Sequence, residues 1–421
     1  MRNLRNWRAE AREFSRCSVL TAICCALVGI SILVVSAAEN DISKRARHLH
    51  FSSIIVDTHD DTTQRLFDPG FDIGLRHTDG NVDIPRMHEG GLGAIFFSIW
   101  MPGTVTGAEA VKRALDQIDD VREMVHTHSA DLVLCTTAAQ VRSAHARGQI
   151  AVLMGVEGGH MIANDLAALR TYAALGVRYM TLTHMVNDEW ADSSTDKPVH
   201  NGLTEFGRNV VLEMNRLGVM VDISHVSDKT FYDALQMSRA PLIASHSSCR
   251  ALCDVPRNMT DEMMKALAAK GGVIQINYHI GFLSQKFRDA QQANPELSKQ
   301  IQEEVDKRCG QIETCRIDES ERLLRKAMDA GKLPRVDWTE IIDHIDHAVK
   351  LVGSDHVGLG SDFDGATMPF GMEDVSQLPH ITDALLKKGY SESDIRKILG
   401  GNTLRVMEQV EETAQRMREA K

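Results

Sequence analysis

Apolar runs of five to seven residues recur along this chain, and between them lie longer segments whose apolar positions fall three and four residues apart. The runs at 53–57, 93–99, 150–156, 177–183, 219–224, 241–245, 272–277 and 357–362 predict eight strands. Stretches such as 107–128, 161–175, 204–217, 228–237, 260–270 and 337–352 predict helices. Strands that are apolar nearly throughout, instead of at alternate positions, suit a parallel sheet covered on both faces. Eight of them with a helix between most predict an α/β fold, a (β/α)8 TIM-type barrel. One connection is out of proportion: 281–335 is charged, carries two expected helices (295–308 and 319–330), and reads as an insertion between the seventh and eighth strands at the catalytic rim.

The polar residues that end these runs carry the chemistry. The first strand runs into His59 and Asp61, the third ends on Glu157, the fifth is capped by His225, the sixth by His246, and the eighth ends on Asp362. Alternation along an extended chain lets His59 and Asp61 face one ion together. With Glu157 shared, His59, Asp61, His225 and His246 would give each of two ions three ligands and leave a position for a hydroxide, the arrangement catalytic zinc requires. A single histidine is more often a hydrogen-bonded structural residue than a ligand; the joint placement on one rim argues otherwise here. His48, His50, His77, His88, His126, His128, His145, His200, His344, His347, His356 and His380 lack that placement and read as surface or structural residues.

Composition narrows the partners. A chain of 421 residues with 43% hydrophobic content fills one barrel with insertions, and a formal charge of −11 excludes a sequence-independent nucleic-acid binder. Residues 1–38 stand apart. Arg2, Arg5, Arg8, Arg12 and Arg16 precede an apolar run from Cys17 to Ala38, and Val35-Ser36-Ala37 offers a cleavage site, so the segment reads as an export signal or, uncleaved, a membrane anchor touching lipid through 17–38. The barrel domain is then 39–421, and the expected location is periplasmic or extracellular. Outside the leader the cysteines are Cys135, Cys249, Cys253, Cys309 and Cys315; the last two are close enough to close a small loop in an oxidising compartment.

The chain resembles the membrane dipeptidase (renal dipeptidase) family of binuclear zinc peptidases, within the amidohydrolase-like metal barrels. The matching pieces are VDTHDD (56–61), GVEGGH (155–160), YMTLTHMVNDEWADS (179–193), VDISHVSD (221–228), IASHSSCRAL with PRNMTDE (243–262), DHVGLGSDFDG (355–365) and GGNTLRV (400–406). The resemblance implies two Zn2+ per chain, one held by His59 and Asp61, the other by His225 and His246, with Glu157 bridging. It implies that His184 contacts substrate and stabilises the oxyanion, that Arg257 grips the C-terminal carboxylate, and that Asp362 is the acid/base. Tyr278, just after the seventh strand, is a further candidate for substrate contact. Thr58 and Asp60 replace the family's usual glycine and asparagine, and Met185–Glu189 also departs from it, which bears on side-chain and stereochemical preference.

The expectation is an exported zinc dipeptidase in which a metal-held hydroxide attacks dipeptides bearing a free carboxylate. The rivals are a barrel amidohydrolase acting on another amide, a lactam or a modified peptide of a secondary pathway, and a non-catalytic metal-containing binding or maturation protein. A homodimer stays open.

Overall fold

The computed structural model describes residues 42–420, and its compact unit begins at Ala46. The predicted leader and anchor, 1–38, lie outside the described residues; among those described, no helix is long and apolar enough to cross a membrane. Nine parallel strands form the sheet: β1 (Ile55–Asp60), β2 (Leu92–Trp100), β3 (Leu132–Leu134), β4 (Ile150–Glu157), β5 (Val177–Thr181), β6 (Met220–Asp222), β7 (Ile243–Ser247), β8 (Val273–Ile276) and β9 (Val357–Leu359). Pairing of β2 with both β1 and β4, and of β1 with β9, closes eight of them into a ring, which is the (β/α)8 barrel that the apolar runs predict.

The ninth strand was not expected. β3 is three residues long and pairs only with Ile150–Val152 at the start of β4, below the point where β5 takes over the same edge at Met154. So short a run, LVL before Cys135, carries too little periodicity to be distinguished from a loop. All eight residues of β4 are buried, as both faces of a barrel strand must be, one by core side chains and the other by the helix ring.

Glycine permits one crossing that the site depends on. A Cβ at Gly155 in β4 would lie 1.9 Å from the Tyr179 ring, so the tyrosine of β5 crosses the bare backbone there and its hydroxyl reaches His59 Nδ1 at 2.8 Å.

The insertion is helical, as expected, with segments at Gln285–Gln292, Pro295–Cys309 and Glu313–Asp329. Cys309 and Cys315 form a disulfide at the turn between the last two. Arg65, in the turn after β1, ties this element to the rim: Nε donates to Asp364 at 2.8 Å and Nη2 to Asp318 of the insertion at 2.5 Å.

Two histidines with structural roles give a pH prediction. His344 Nδ1 accepts from the Cys249 amide while Nε2 donates to Leu283 O, and His50 bridges Thr382 Oγ1 and Gly90 O. Both rings are buried neutral, and burial pulls each down to about 4. The unfolded chain therefore protonates first: the stabilisation is complete above about pH 6.5 and is lost as pH falls towards 4, at most about 3 kcal/mol per ring. Buried Asp57, pushed up to about 6 by desolvation, works in the opposite direction, so the test is a comparison. Between pH 7 and 4.5 the wild type should lose more unfolding free energy than His344→Gln, measured in urea; an equal loss would contradict the assignment.

Candidate metal centre

The barrel strands deliver their polar ends to one point. His59 lies in β1, Glu157 ends β4, and His246 lies in β7; His184, His225 and Asp362 each follow β5, β6 and β9 by three residues. His225 and Asp362 adopt left-handed backbone, φ +67° and +68°. Such strain in non-glycine residues persists only where the surroundings impose it, and it aims both side chains inward.

Glu157 is the hub. Its Oε2 lies 3.5 Å from His59 Nε2 and accepts from Ser98 Oγ at 3.2 Å, while its Oε1 lies 2.9 Å from His225 Nε2, 3.3 Å from His246 Nε2 and 3.7 Å from His184 Nε2. Asp61 Oδ1 stands 3.6 Å and Asp362 Oδ1 4.0 Å from His59 Nε2. Among the described residues, three groups could each hold an ion: His59–Glu157–His246, Glu157–His184–His225 and His59–Asp61–Asp362. They interleave, with the His59 and His246 rings stacked at 3.6 Å, and they add His184 and Asp362 to the five expected ligands.

The donor chemistry fits a metal. His59 Nε2 and Asp61 Oδ1 are buried without a hydrogen-bond partner among the described residues, although the opposite nitrogen of His59 is engaged by Tyr179. His246 Nδ1 donates to Ser245 Oγ at 2.8 Å, because Ser245 gives its own proton to Asp222 at 2.6 Å; His246 Nε2 therefore keeps its lone pair, 2.9 Å from His225 Nε2 and 3.3 Å from Glu157 Oε1. Hydrogen bonding of the outer nitrogen in this way fixes tautomer and ring orientation in metal-binding histidines. Burial, with Arg257 and neighbouring imidazoles adding to it, holds His225 and His246 well below the ordinary histidine range, so each keeps a lone pair at neutral pH. Burial pushes the Glu157 carboxyl up, but the imidazoles around it prevail and hold it well below its ordinary value. The set is all nitrogen and oxygen, without thiolate, which suits zinc and its neighbours.

Arg257 sits in the loop after β7, almost fully buried, with Cζ 5.5 Å from the Phe282 ring. Its hydrogen bonds go to Ser247 Oγ (2.9 Å) and His246 O (2.7 Å), both neutral, and its Nε has no partner among the described residues. Burial lowers it to about 10, which leaves it cationic at neutral pH. His184 packs edge-on against Trp100 at 5.8 Å and His225 at 4.7 Å, and burial keeps its imidazole below the ordinary range. Asp362 Oδ2 accepts from Asn277 at 2.8 Å. Tyr278 is fully buried, its ring edge-on to Phe363 at 5.9 Å and its hydroxyl unpartnered among the described residues.

A barrel whose rim gathers such a donor set around one carboxylate matches a known family along nearly its whole length: residues 43–421 fit the model of the membrane dipeptidases, peptidase family M19. The chain belongs to that family. It is a metal-dependent hydrolase of the dipeptidase type. Among curated dipeptidases it is 34% identical over 359 residues to dipeptidase verJ of Clonostachys rogersoniana, covering 82% of this chain and 79% of that protein. Among solved structures it resembles the probable dipeptidase PvdM of Pseudomonas aeruginosa at TM-score 0.75 and 27% identity, covering 88% of this chain and 98% of that one. It also resembles a Rhodobacter sphaeroides metallopeptidase liganded with a phosphinate mimic of the dipeptide L-Ala-D-Ala (TM-score 0.70, 28% identity, covering 85% of this chain and 100% of that one).

Several residues that this dipeptidase places around the centre were missed in the sequence: Tyr179, Ser98, Ser245, Asp222 and Asn277. Asn277 ends the run GVIQIN and could have been found by the rule that found Glu157. The others lie inside strands or beside a ligand, and nothing in their spacing sets them apart from packing residues.

Proposed function

We propose that the chain is an exported dipeptidase with two zinc ions, His59, Asp61 and Glu157 holding one and Glu157, His225 and His246 the other. The observation that carries this reading is the division of Glu157: one oxygen faces His59 and the other faces His225 and His246. When bound, the pair would supply Lewis acidity towards the scissile carbonyl and acidify a water. The protein's own groups do the rest. Arg257, a buried cation with only neutral partners, holds the substrate's C-terminal carboxylate through its planar fork of donors. Neutral His184 donates to the carbonyl oxygen as negative charge develops there. Asp362, oriented by Asn277, takes a proton from the attacking water and returns it to the leaving amine. The Cys309–Cys315 disulfide supports export, because such bonds persist in oxidising compartments.

A dipeptide library tests the reading. The purified protein should contain about two zinc ions, as a bridged site requires, should release free amino acids from L,L or L,D dipeptides, and should stop when chelated. Binding of dipeptides without turnover would favour the binding-protein reading, and turnover only of other amides would favour the amidohydrolase.

A further inference from the structure

Beside the metal centre, between the turn that follows Glu157 and the loop that carries His184, lies a second polar cluster that the reaction does not use. The side chains of His160 and Asp188 are only 6% and 1% exposed, and Trp190 is 1% exposed. Both ring nitrogens of His160, both carboxyl oxygens of Asp188 and the indole Nε1 of Trp190 lack hydrogen-bond partners among the described residues. Native interiors leave few such atoms unpaired, and five around one spot call for an occupant.

The spacing identifies it. His160 Nδ1 and Asp188 Oδ1 are 4.0 Å apart, too far for a direct hydrogen bond and close to the separation, about 4–5 Å, of two atoms that share one water. The cluster offers the Trp190 N–H, one donor and one acceptor from a neutral imidazole, and a carboxyl that burial drives well above its ordinary range. A water, which donates and accepts, can take the Trp190 N–H while bonding one ring nitrogen of His160 and one oxygen of Asp188. A cation would meet the Trp190 proton head-on.

Its position gives it a task. A Cβ at Gly159 would lie 2.6 Å from Asp188 Oδ2 and 2.2 Å from the Trp190 ring, and one at Gly158 would lie 2.6 Å from His160 Nδ1 and 3.3 Å from His184 Cβ. The Gly158–Gly159 turn that immediately follows Glu157 is thus clamped between the cluster and His184. Asp188 belongs to the loop that carries His184, and His160 to the turn that carries Glu157; Asn164 and Glu189 add a hydrogen bond between the same two segments. We propose that a trapped water joining Asp188, His160 and Trp190 locks the loop after β5 to the turn after β4, and so sets the position of His184 relative to Glu157. Asp188 and His160 are then positioning residues, with no contact to substrate.

Two measurements on the zinc-loaded protein test this. A crystal structure should show one water within hydrogen-bond distance of at least Asp188, His160 and Trp190; an empty cavity, a metal ion or a direct His160–Asp188 bond would overturn the proposal, whatever the substrate proves to be. Kinetically, and resting on the dipeptidase reading, Asp188→Ala should lower kcat on the order of 10²-fold, the usual effect of misplacing a catalytic group by about 1 Å, with KM and metal content unchanged. Asp188→Asn, which keeps the hydrogen bonds, should restore most of it. Wild-type kcat in Asp188→Ala, or equal losses in both variants in step with lower Tm, would leave only a structural role and overturn it. If Asp188→Ala does not fold, replacing Trp190 by its benzothiophene isostere removes the indole N–H while keeping the bicyclic ring, and should lower kcat several-fold at constant KM; an unchanged kcat there overturns it equally.

Discussion

Glu157→Gln should abolish both metal binding and hydrolysis, the largest single effect expected in this protein. The carboxylate faces all four histidines of the centre, with His59 on one oxygen and His225, His246 and His184 on the other. An amide keeps the size but presents a single weaker acceptor oxygen, and its NH2 would point a donor at whichever ion lost the bridge. Catalytic metals supply several kcal/mol of transition-state stabilisation, so kcat should fall on the order of 10³-fold or more. The check is elemental analysis beside the hydrolysis assay. Asp362→Asn provides the contrast: its carboxyl lies 4.0 Å from His59 Nε2 and is already bonded to Asn277. It should retain zinc while kcat drops about 10²–10⁴-fold, the usual size of a general acid–base contribution. If Glu157→Gln keeps its metal and most of its activity, the shared-carboxylate arrangement is wrong; if Asp362→Asn loses metal, Asp362 is first of all a ligand.

Arg257→Ala should cost the second largest amount, and the cost should depend on the substrate's terminus. Removing a charge-assisted, two-pronged contact typically costs about 2–4 kcal/mol, which is on the order of 30- to 10³-fold in kcat/KM. A buried guanidinium whose hydrogen bonds go only to Ser247 Oγ and His246 O has charge to spare for an incoming carboxylate. A C-terminally amidated dipeptide, lacking that carboxylate, should be poor for the wild type and little worse for the variant. Because Arg257 also supports the β7 end through His246 O, metal content must be measured alongside; equal losses on both substrates would mean that this support is its whole contribution.

Pattern along the chain was enough for the architecture and for sending six polar residues to one rim. Eight apolar runs, each long enough to cross a barrel, left a closed parallel sheet as the economical way to bury them, and the residue at which each run stops had to lie on the rim. His59, Asp61, Glu157, His225, His246 and Asp362 were legible for that reason, since strand polarity alone sends them to one end. Arg257 was legible only through the resemblance, because a loop residue has no periodicity to place it; His184 directly follows the run 177–183, so the rule that found His225 applies to it equally, but its role came from the resemblance. The tertiary structure alone decided the relations between strands. Only once β4 and β5 are paired does Gly155 let Tyr179 cross to His59, and only once β6 and β7 are adjacent does Asp222 reach the serine that holds His246. The same holds for the strand at Leu132–Leu134, which exists because the lower edge of β4 was left open, and for His160 and Asp188, which lie 28 residues apart in sequence and become neighbours when two rim loops close on a pair of glycines. A side chain's local pattern records which face it must bury; which partner it meets there depends on contacts between segments far apart in the chain, and no window along the sequence contains them.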